Sequence, residues 1–212
     1  MELHKIVLLG PPGAGKGTQG GLIAEYFGIE HITTGGALRI NRELETEQGT
    51  PGSFIDRGEL VPDAIVNEIV EVEIGKVEGF VLDGYPRNKE QAEYLSTITE
   101  ISNIMYLEVA EEELIKRLSG RRVCSECGEN YHIEFHPPRL DGECDLCGNK
   151  LIQRSDDEAG TILNRLKVFS EHTKPVLEYY NNREGFVRIE GRNNPDDVWE
   201  DIRNILEMGD GK

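Results

Sequence analysis

The chain has 212 residues, 40 acidic and 23 basic, for a formal net charge of −17. At about 150 residues per domain, that is one domain or one domain carrying insertions. No stretch approaches the roughly 18 consecutive apolar residues of a membrane span. Such an acidic chain is not a general binder of nucleic acid or anionic membrane. An anionic ligand would need a local basic island within it. Met1 to Gly10 lacks the cationic start and small-residue cleavage site of a secretory signal, so a cytoplasmic location is expected.

The predicted elements alternate between strand and helix. Lys5–Leu9 is a short apolar run ending in glycine, as a buried parallel strand should be. A helix follows from Lys16 to Phe27, with Leu22, Ile23, Tyr26 and Phe27 on one stripe and Gly28 to end it. Gly20 and Gly21 weaken this helix by about 1 kcal/mol each relative to Ala, marking either close backbone packing or simple tolerance. Further strands are expected at Ile29–Thr33, Gly79–Asp83, Ile104–Glu108 and Phe186–Glu190. Helices are expected at Asp63–Ile74 and Lys89–Ile98, with one long helix over Thr161–Asn181. A final helix takes Asn194 as its N-cap and Pro195 as its first residue, with Asp196 and Asp197 in its positive first turn.

This pattern predicts an α/β fold: a doubly wound sheet of about five parallel strands flanked by helices. Two segments break the alternation. Residues 34–61 read as mostly helical and polar, while 121–157 hold the cysteines, two prolines and no long helix. Both are expected as mobile insertions at the carboxyl edge of the sheet, where α/β ligands bind. The core would then comprise 1–33, 62–120 and 158–212.

The cysteines stand as Cys124-x2-Cys127 and, sixteen residues later, Cys144-x2-Cys147. That spacing suits a tetrahedral four-thiolate zinc site, with a disulfide pair or a redox centre as the alternatives. His132 and His136 lie between the pairs as less favoured ligands. Four thiolates leave no open position for substrate, so the zinc is expected to be structural.

The first strand leads into Gly10-Pro-Pro-Gly13-Ala14-Gly15-Lys16-Gly17-Thr18 and then a helix, the spacing of a P-loop. Glycine stands where that motif usually has Ser or Thr, with Thr18 one place later. Gly10, Gly13 and Gly15 permit positive φ and close approach of N–H groups to phosphate oxygens. Lys16 adds a point charge, and the helix N-terminus adds its dipole. Asp83 ends an apolar strand and is placed to hold Mg²⁺ through its waters, while the turn Gly84-Tyr85-Pro86 aims Arg87 across the sheet edge. Arg39, Arg117, Arg121, Arg154 and Arg165 also fall at element ends near the expected ligand.

Together, Gly10–Thr18 followed by Gln19, Asp83-Gly-Tyr-Pro-Arg87, Thr34-Gly35 with Arg39, and Gly120-Arg121-Arg122 resemble the adenylate kinase family. The resemblance covers the whole chain in order and includes Tyr131-His132 and Arg154-x-Asp156-Asp157. It is similar to the long form of that family, whose lid carries a zinc knot. The resemblance implies reversible, Mg²⁺-dependent phosphoryl transfer from ATP to AMP, giving ADP, by a monomer that needs neither nucleic acid nor membrane. It implies that 34–61 bind AMP and that 121–157 form the lid over ATP. Arg39 and Arg87 would clamp the AMP phosphate, and Thr34 and Gln91 would read its base, with Val61, Gly84, Arg154 and Arg165 completing the AMP site. ATP would lie on Gly13, Ala14, Gly15, Lys16, Gly17 and Thr18, with Arg117 against its adenine and Arg121, Tyr131 and Arg192 nearby. Lys16, Arg87, Arg121, Arg154 and Arg165 would be catalytic, and Asp83 would order the Mg²⁺ waters. A GTP donor or another acceptor base is the alternative within this chemistry; a zinc-ribbon module using nucleotide as a switch lies outside it. Two departures stand out: Gly36 where the family usually has Asp, and Asn88 where it usually has Thr. The first puts the hydrogen bonding at the start of the AMP-binding helix in doubt.

Overall fold

A computed structural model describes residues 4–192 and 194–209, so the outermost residues of the expected core lie outside the described residues. In chain order the elements are β1 (Lys5–Leu9), α1 (Lys16–Phe27), β2 (Glu30–Thr33), α2 (Thr34–Ile40), α3 (Pro51–Arg57), α4 (Asp63–Ile74), β3 (Phe80–Asp83) and α5 (Lys89–Ile98). There follow β4 (Asn103–Glu108), α6 (Glu111–Gly120), β5 (Arg121–Cys124), β6 (Asn130–His132), β7 (Leu151–Ile152), α7 (Ala159–Val168), α8 (Val176–Tyr180), β8 (Phe186–Glu190) and α9 (Pro195–Gly209).

Five strands form a parallel sheet in the order β2-β3-β1-β4-β8. Successive side chains of a strand point to opposite faces, and the apolar runs supply both. Val7, Leu9, Phe80, Leu82, Ile104 and Tyr106 pack on one side, under residues of α4, α5 and α8. Ile6, Leu8, Val81, Met105 and Leu107 pack on the other, under α1, α6, α7 and α9. Because β1 sits centrally with β3 and β4 on either hand, the loop after it opens into the crevice where ligands of such sheets bind.

The helix ends follow local chemistry. Gly28 closes α1 in the left-handed region, its N–H bonded to the Ala24 carbonyl. Asn88 caps α5 by accepting from the Gln91 N–H, and Asn194 accepts from the Asp196 N–H at the start of α9. Glu111, Glu112 and Glu113 occupy the first turn of α6 and Arg117 its last, complementing the dipole.

Two sequence expectations need correction. The long helix over Thr161–Asn181 is not a single α-helix: α7 ends at Val168, the chain continues as a π-helical stretch over Phe169–Thr173, and α8 begins after Pro175. Proline has no N–H to donate and its ring crowds the carbonyl four residues back, so the ladder is interrupted there. Segment 34–61 is helical only in α2 and α3, with turns between them. Segment 121–157 forms a separate three-stranded antiparallel sheet, order β6-β5-β7. No helix among the described residues is long and apolar enough to cross a membrane.

Candidate active site

The loop between β1 and α1 is built on its glycines. Gly13 has φ +84°, and a Cβ there would lie 2.9 Å from Leu118 Cγ. Gly15 caps α1 at φ +96° with open space beside it, so the first N–H groups of the helix are free to face a ligand. Gly17 and Thr18 are exposed at the mouth, whereas Ala14 is buried against the sheet. The Lys16 ammonium folds back onto the carbonyls of Gly10 and Pro11, at 2.7 and 2.9 Å. Burial and the positive charges of Arg87, Arg165 and Arg121, partly offset by Asp83, lower its pKa to about 8.

Around this loop the arginines converge, and two buried carboxylates hold them. Asp156 and Asp157 sit in a single 3-10 turn, Ser155–Asp157, with relative exposures of 4% and 1%. Asp157 pairs with Arg121 and, at 2.8 Å, with Arg165; Asp156 pairs with Arg165 and with Arg39, each at 3.1 Å. Asp156 Oδ1 is buried with no partner, and the surrounding arginines hold this carboxyl below its usual range despite its burial. Burial and neighbouring cations push Arg87 down to about 10 and Arg154 to about 9. So much crowded positive charge marks a candidate anion site. The sequence reading noted Asp156 and Asp157 only as part of a motif and missed this anchoring.

Asp83 closes β3 beside β1, with its carboxylate over the start of α1: a Cβ on Gly17 would be 3.7 Å from Asp83 Oδ2. His31 Nε2 stands 3.9 Å from the same oxygen, buried and without a hydrogen bond, and burial lowers its pKa. A Cβ on Gly20 would overlap the His31 ring at 2.4 Å, whereas Gly21 faces open space. Of the paired glycines, then, only Gly20 is a packing requirement. Gly84, at φ +85°, lets Arg87 Nε donate to its carbonyl at 2.7 Å, and Thr34 Oγ1 donates to the Asp83 carbonyl. Thr173, in the π-helical stretch before α8, donates to the Arg87 carbonyl at 2.8 Å. Gln91 is buried between the Arg87 N–H, which donates to its Oε1, and Asp63, which accepts from its Nε2.

Other predicted residues lie apart from this cluster. Arg117 donates to the carbonyls of Gly191 and Arg192, so it lines the loop after β8. The Arg192 side chain pairs with Asp201 of α9. Tyr131 is buried in the second sheet, its hydroxyl accepting from the Asp145 N–H at 2.8 Å, so its side chain belongs to that sheet rather than to the cleft. Val61 is in the core. Gly36 leaves room for Thr33 Oγ1, which would lie 2.4 Å from a Cβ there, and α2 begins without a side-chain cap.

The four cysteine sulfurs lie within 4.8 Å of one another, with Sγ–Sγ separations of 3.4 and 3.5 Å. Those distances exclude disulfide bonds and suit a tetrahedron around one ion, for which sulfurs about 2.3 Å from zinc stand a little under 4 Å apart. Each pair sits on a matching knuckle: Gly128 donates to the Cys124 carbonyl and Gly148 to that of Cys144. The Asn149 side chain and amide lower the Cys147 pKa to about 6, favouring the thiolate a metal needs. The histidines stay out of the cluster. His132 Nδ1 accepts from the N–H groups of Glu134 and Phe135, and His136 stacks on Tyr131.

A sequence model of the adenylate kinase family matches residues 8–185. The chain belongs to the adenylate kinase family. It is 51% identical to the adenylate kinase of Haloarcula marismortui and 48% to that of Halobacterium salinarum, covering 98% of both chains in each case. It is 44% identical to the adenylate kinase of Clostridium tetani, over 95% of this chain and 97% of that one. As a member of this family the chain is a nucleotide-binding phosphotransferase, and its four-cysteine cluster fits zinc.

Proposed function

We propose that the arginine-lined cleft receives ATP on the P-loop and AMP against Arg39 and Arg87, and passes one phosphoryl group between them to give two ADP. The observation that carries this reading is the convergence of Lys16, Arg87, Arg121, Arg154 and Arg165 on one crevice at the carboxyl edge of the sheet. The transition state spreads negative charge over equatorial oxygens, so fixed cations and alignment supply most of the catalysis. Guanidinium forks suit that task geometrically. The accepting phosphate is already anionic, so no general base is required.

In this reading, phosphate draws Arg39, Arg121 and Arg165 from Asp156 and Asp157, which hold them in place beforehand. Gln91 and Thr34 face the acceptor base, and Arg117 and the loop near Arg192 flank the donor base. The chemistry of Asp83 fits a hard cation, and Mg²⁺ held there through water would neutralise charge on the phosphates. Segments 34–61 and 121–157 move to close the cleft, since an open, wet site would hydrolyse ATP. Zinc on Cys124, Cys127, Cys144 and Cys147 holds the lid together.

The test is a coupled assay of ATP and GTP against AMP, CMP, UMP and GMP. ATP with AMP is expected to be fastest by a wide margin. Comparable turnover with a pyrimidine acceptor, or ATP hydrolysis without transfer, would contradict the proposal.

A further inference from the structure

The Gln91 carboxamide is held at both ends by groups that tolerate only one orientation. Its Oε1 accepts from the Arg87 main-chain N–H at 2.7 Å, and its Nε2 donates to Asp63 Oδ1 at 2.7 Å. A main-chain N–H only donates, and an ionised carboxylate only accepts. Rotating the amide by half a turn would set N–H against N–H and oxygen against oxygen. The positions of these partners therefore fix which end is oxygen.

Asp63 is itself held. It is the first residue of α4, and both its oxygens accept from Asn88 Nδ2, each at 2.9 Å. Asn88 in turn caps α5, the helix that carries Gln91. A carboxamide has two N–H groups and two oxygen lone pairs, and only one of each is spent here. On a side chain only 1% exposed, an unspent donor and acceptor side by side are costly unless a ligand completes them.

We propose that Asp63, acting with the Arg87 N–H, sets the acceptor base by fixing the direction of this amide. In that orientation the remaining N–H meets a ring-nitrogen acceptor and the remaining lone pair meets an exocyclic amine, the pattern of a 6-aminopurine. A 6-oxopurine presents an exocyclic carbonyl at the same place, and two oxygens then face each other. Asp63 is a positioning residue in this scheme and touches no reacting atom. The inference rests on Gln91 facing the acceptor base, as proposed above.

The test compares AMP with inosine monophosphate, which differ at the 6-position and its ring neighbour. In the unaltered enzyme, kcat/KM for AMP should exceed that for inosine monophosphate by at least about 100-fold, because mispaired buried polar groups discriminate strongly. A preference below about tenfold would overturn the proposal whatever the variants do. Asp63→Ala frees the Nε2 end, and the preference should narrow by about tenfold or more while KM for ATP stays unchanged. Asn194→Ala serves as a structural control: it removes the cap of α9, outside this network, and lowers the melting temperature but leaves the preference intact. Should Asp63→Ala lower kcat/KM for both acceptors equally, or Asn194→Ala narrow the preference as much, the orientation argument fails while Gln91 remains a base contact. If Gln91→Ala retained the full preference, the reading of Gln91 itself would fall.

Discussion

Around β1 the chain has apolar side chains to spare; around Cys124 it has almost none. The five-stranded sheet is buried on both faces by two clusters, and β1 contributes Ile6, Val7 and Leu8 at 0% exposure. In the second sheet the buried cluster is only Cys124, Tyr131, Cys144 and Leu151, while Ile133, Leu140 and Leu146 are 59–72% exposed. A unit of about 35 residues with so small a core does not hold itself together by burial. The four-cysteine cluster fits a zinc ion that would do there what the apolar faces do elsewhere. The cleft has a third means of support, the buried carboxylates of Asp156 and Asp157 paired with Arg39, Arg121 and Arg165.

Chelation should separate the two regions most sharply. Structural zinc contributes roughly 10–16 kcal/mol of apparent binding free energy in small modules, so stripping the metal this cluster fits should unfold segment 121–157 alone. Hydrogen exchange should show the amides of Tyr131 and Leu151 losing protection while those of Val7 and Leu82 keep theirs. Equal loss in both sheets would mean that the lid and core are one cooperative unit. Cys127→Ser should act in the same direction and lower the melting temperature.

Next in size is Asp157→Asn. It leaves Arg121 and Arg165 without their shared carboxylate, and breaking such a buried pair costs about 3–5 kcal/mol. Denaturant unfolding measures this, and added ATP with AMP should recover part of the loss. Lys16→Ala should reverse the pattern, costing on the order of 100- to 1000-fold in kcat with little loss of stability.

Smaller and opposite effects are expected at the paired glycines of α1. Gly21→Ala should stabilise by up to about 1 kcal/mol, since its Cβ enters open space. Gly20→Ala should destabilise, since its Cβ meets the His31 ring. Similar shifts of the same sign in both variants would contradict this account of packing beneath Asp83.

The smallest effect concerns protons. Lys16 has a pKa of about 8 in the folded chain, against 10.5 unfolded. Between those values the unfolded chain binds more protons, so this group's contribution to stability rises with pH, and its burial penalty is full below about 8. A triphosphate restores the charge, so binding near pH 8.5 should take up roughly half a proton or more, and almost none near pH 6.5. Calorimetry in buffers of different ionisation enthalpy reads this directly.

Much of this was legible in the sequence, for physical reasons that vary by element. The apolar runs of β1, β3 and β4, buried on both faces and bounded by turn residues, mark parallel strands, and the cysteine spacing and the glycines before Lys16 each answer a strict geometric demand. The widening of the helix after Val168 is not legible because the apolar spacing continues through Pro175. Asp156 and Asp157 looked like two more charges in an acidic chain. Their burial is intelligible only once Arg39, Arg121 and Arg165 are brought to them from three distant segments. The Asp63–Gln91 contact likewise joins two helices that periodicity treats separately.

The central claim is that two nucleotides meet phosphate to phosphate in one cleft. A crystal structure with two adenosines joined by five phosphates tests it most directly. The account predicts one molecule per chain, with Lys16, Arg87, Arg121, Arg154 and Arg165 on the phosphate chain and one adenine beside Gln91. A single ordered adenosine, with Arg121 and Arg165 still paired to Asp156 and Asp157 and no arginine on a second phosphate, would contradict it.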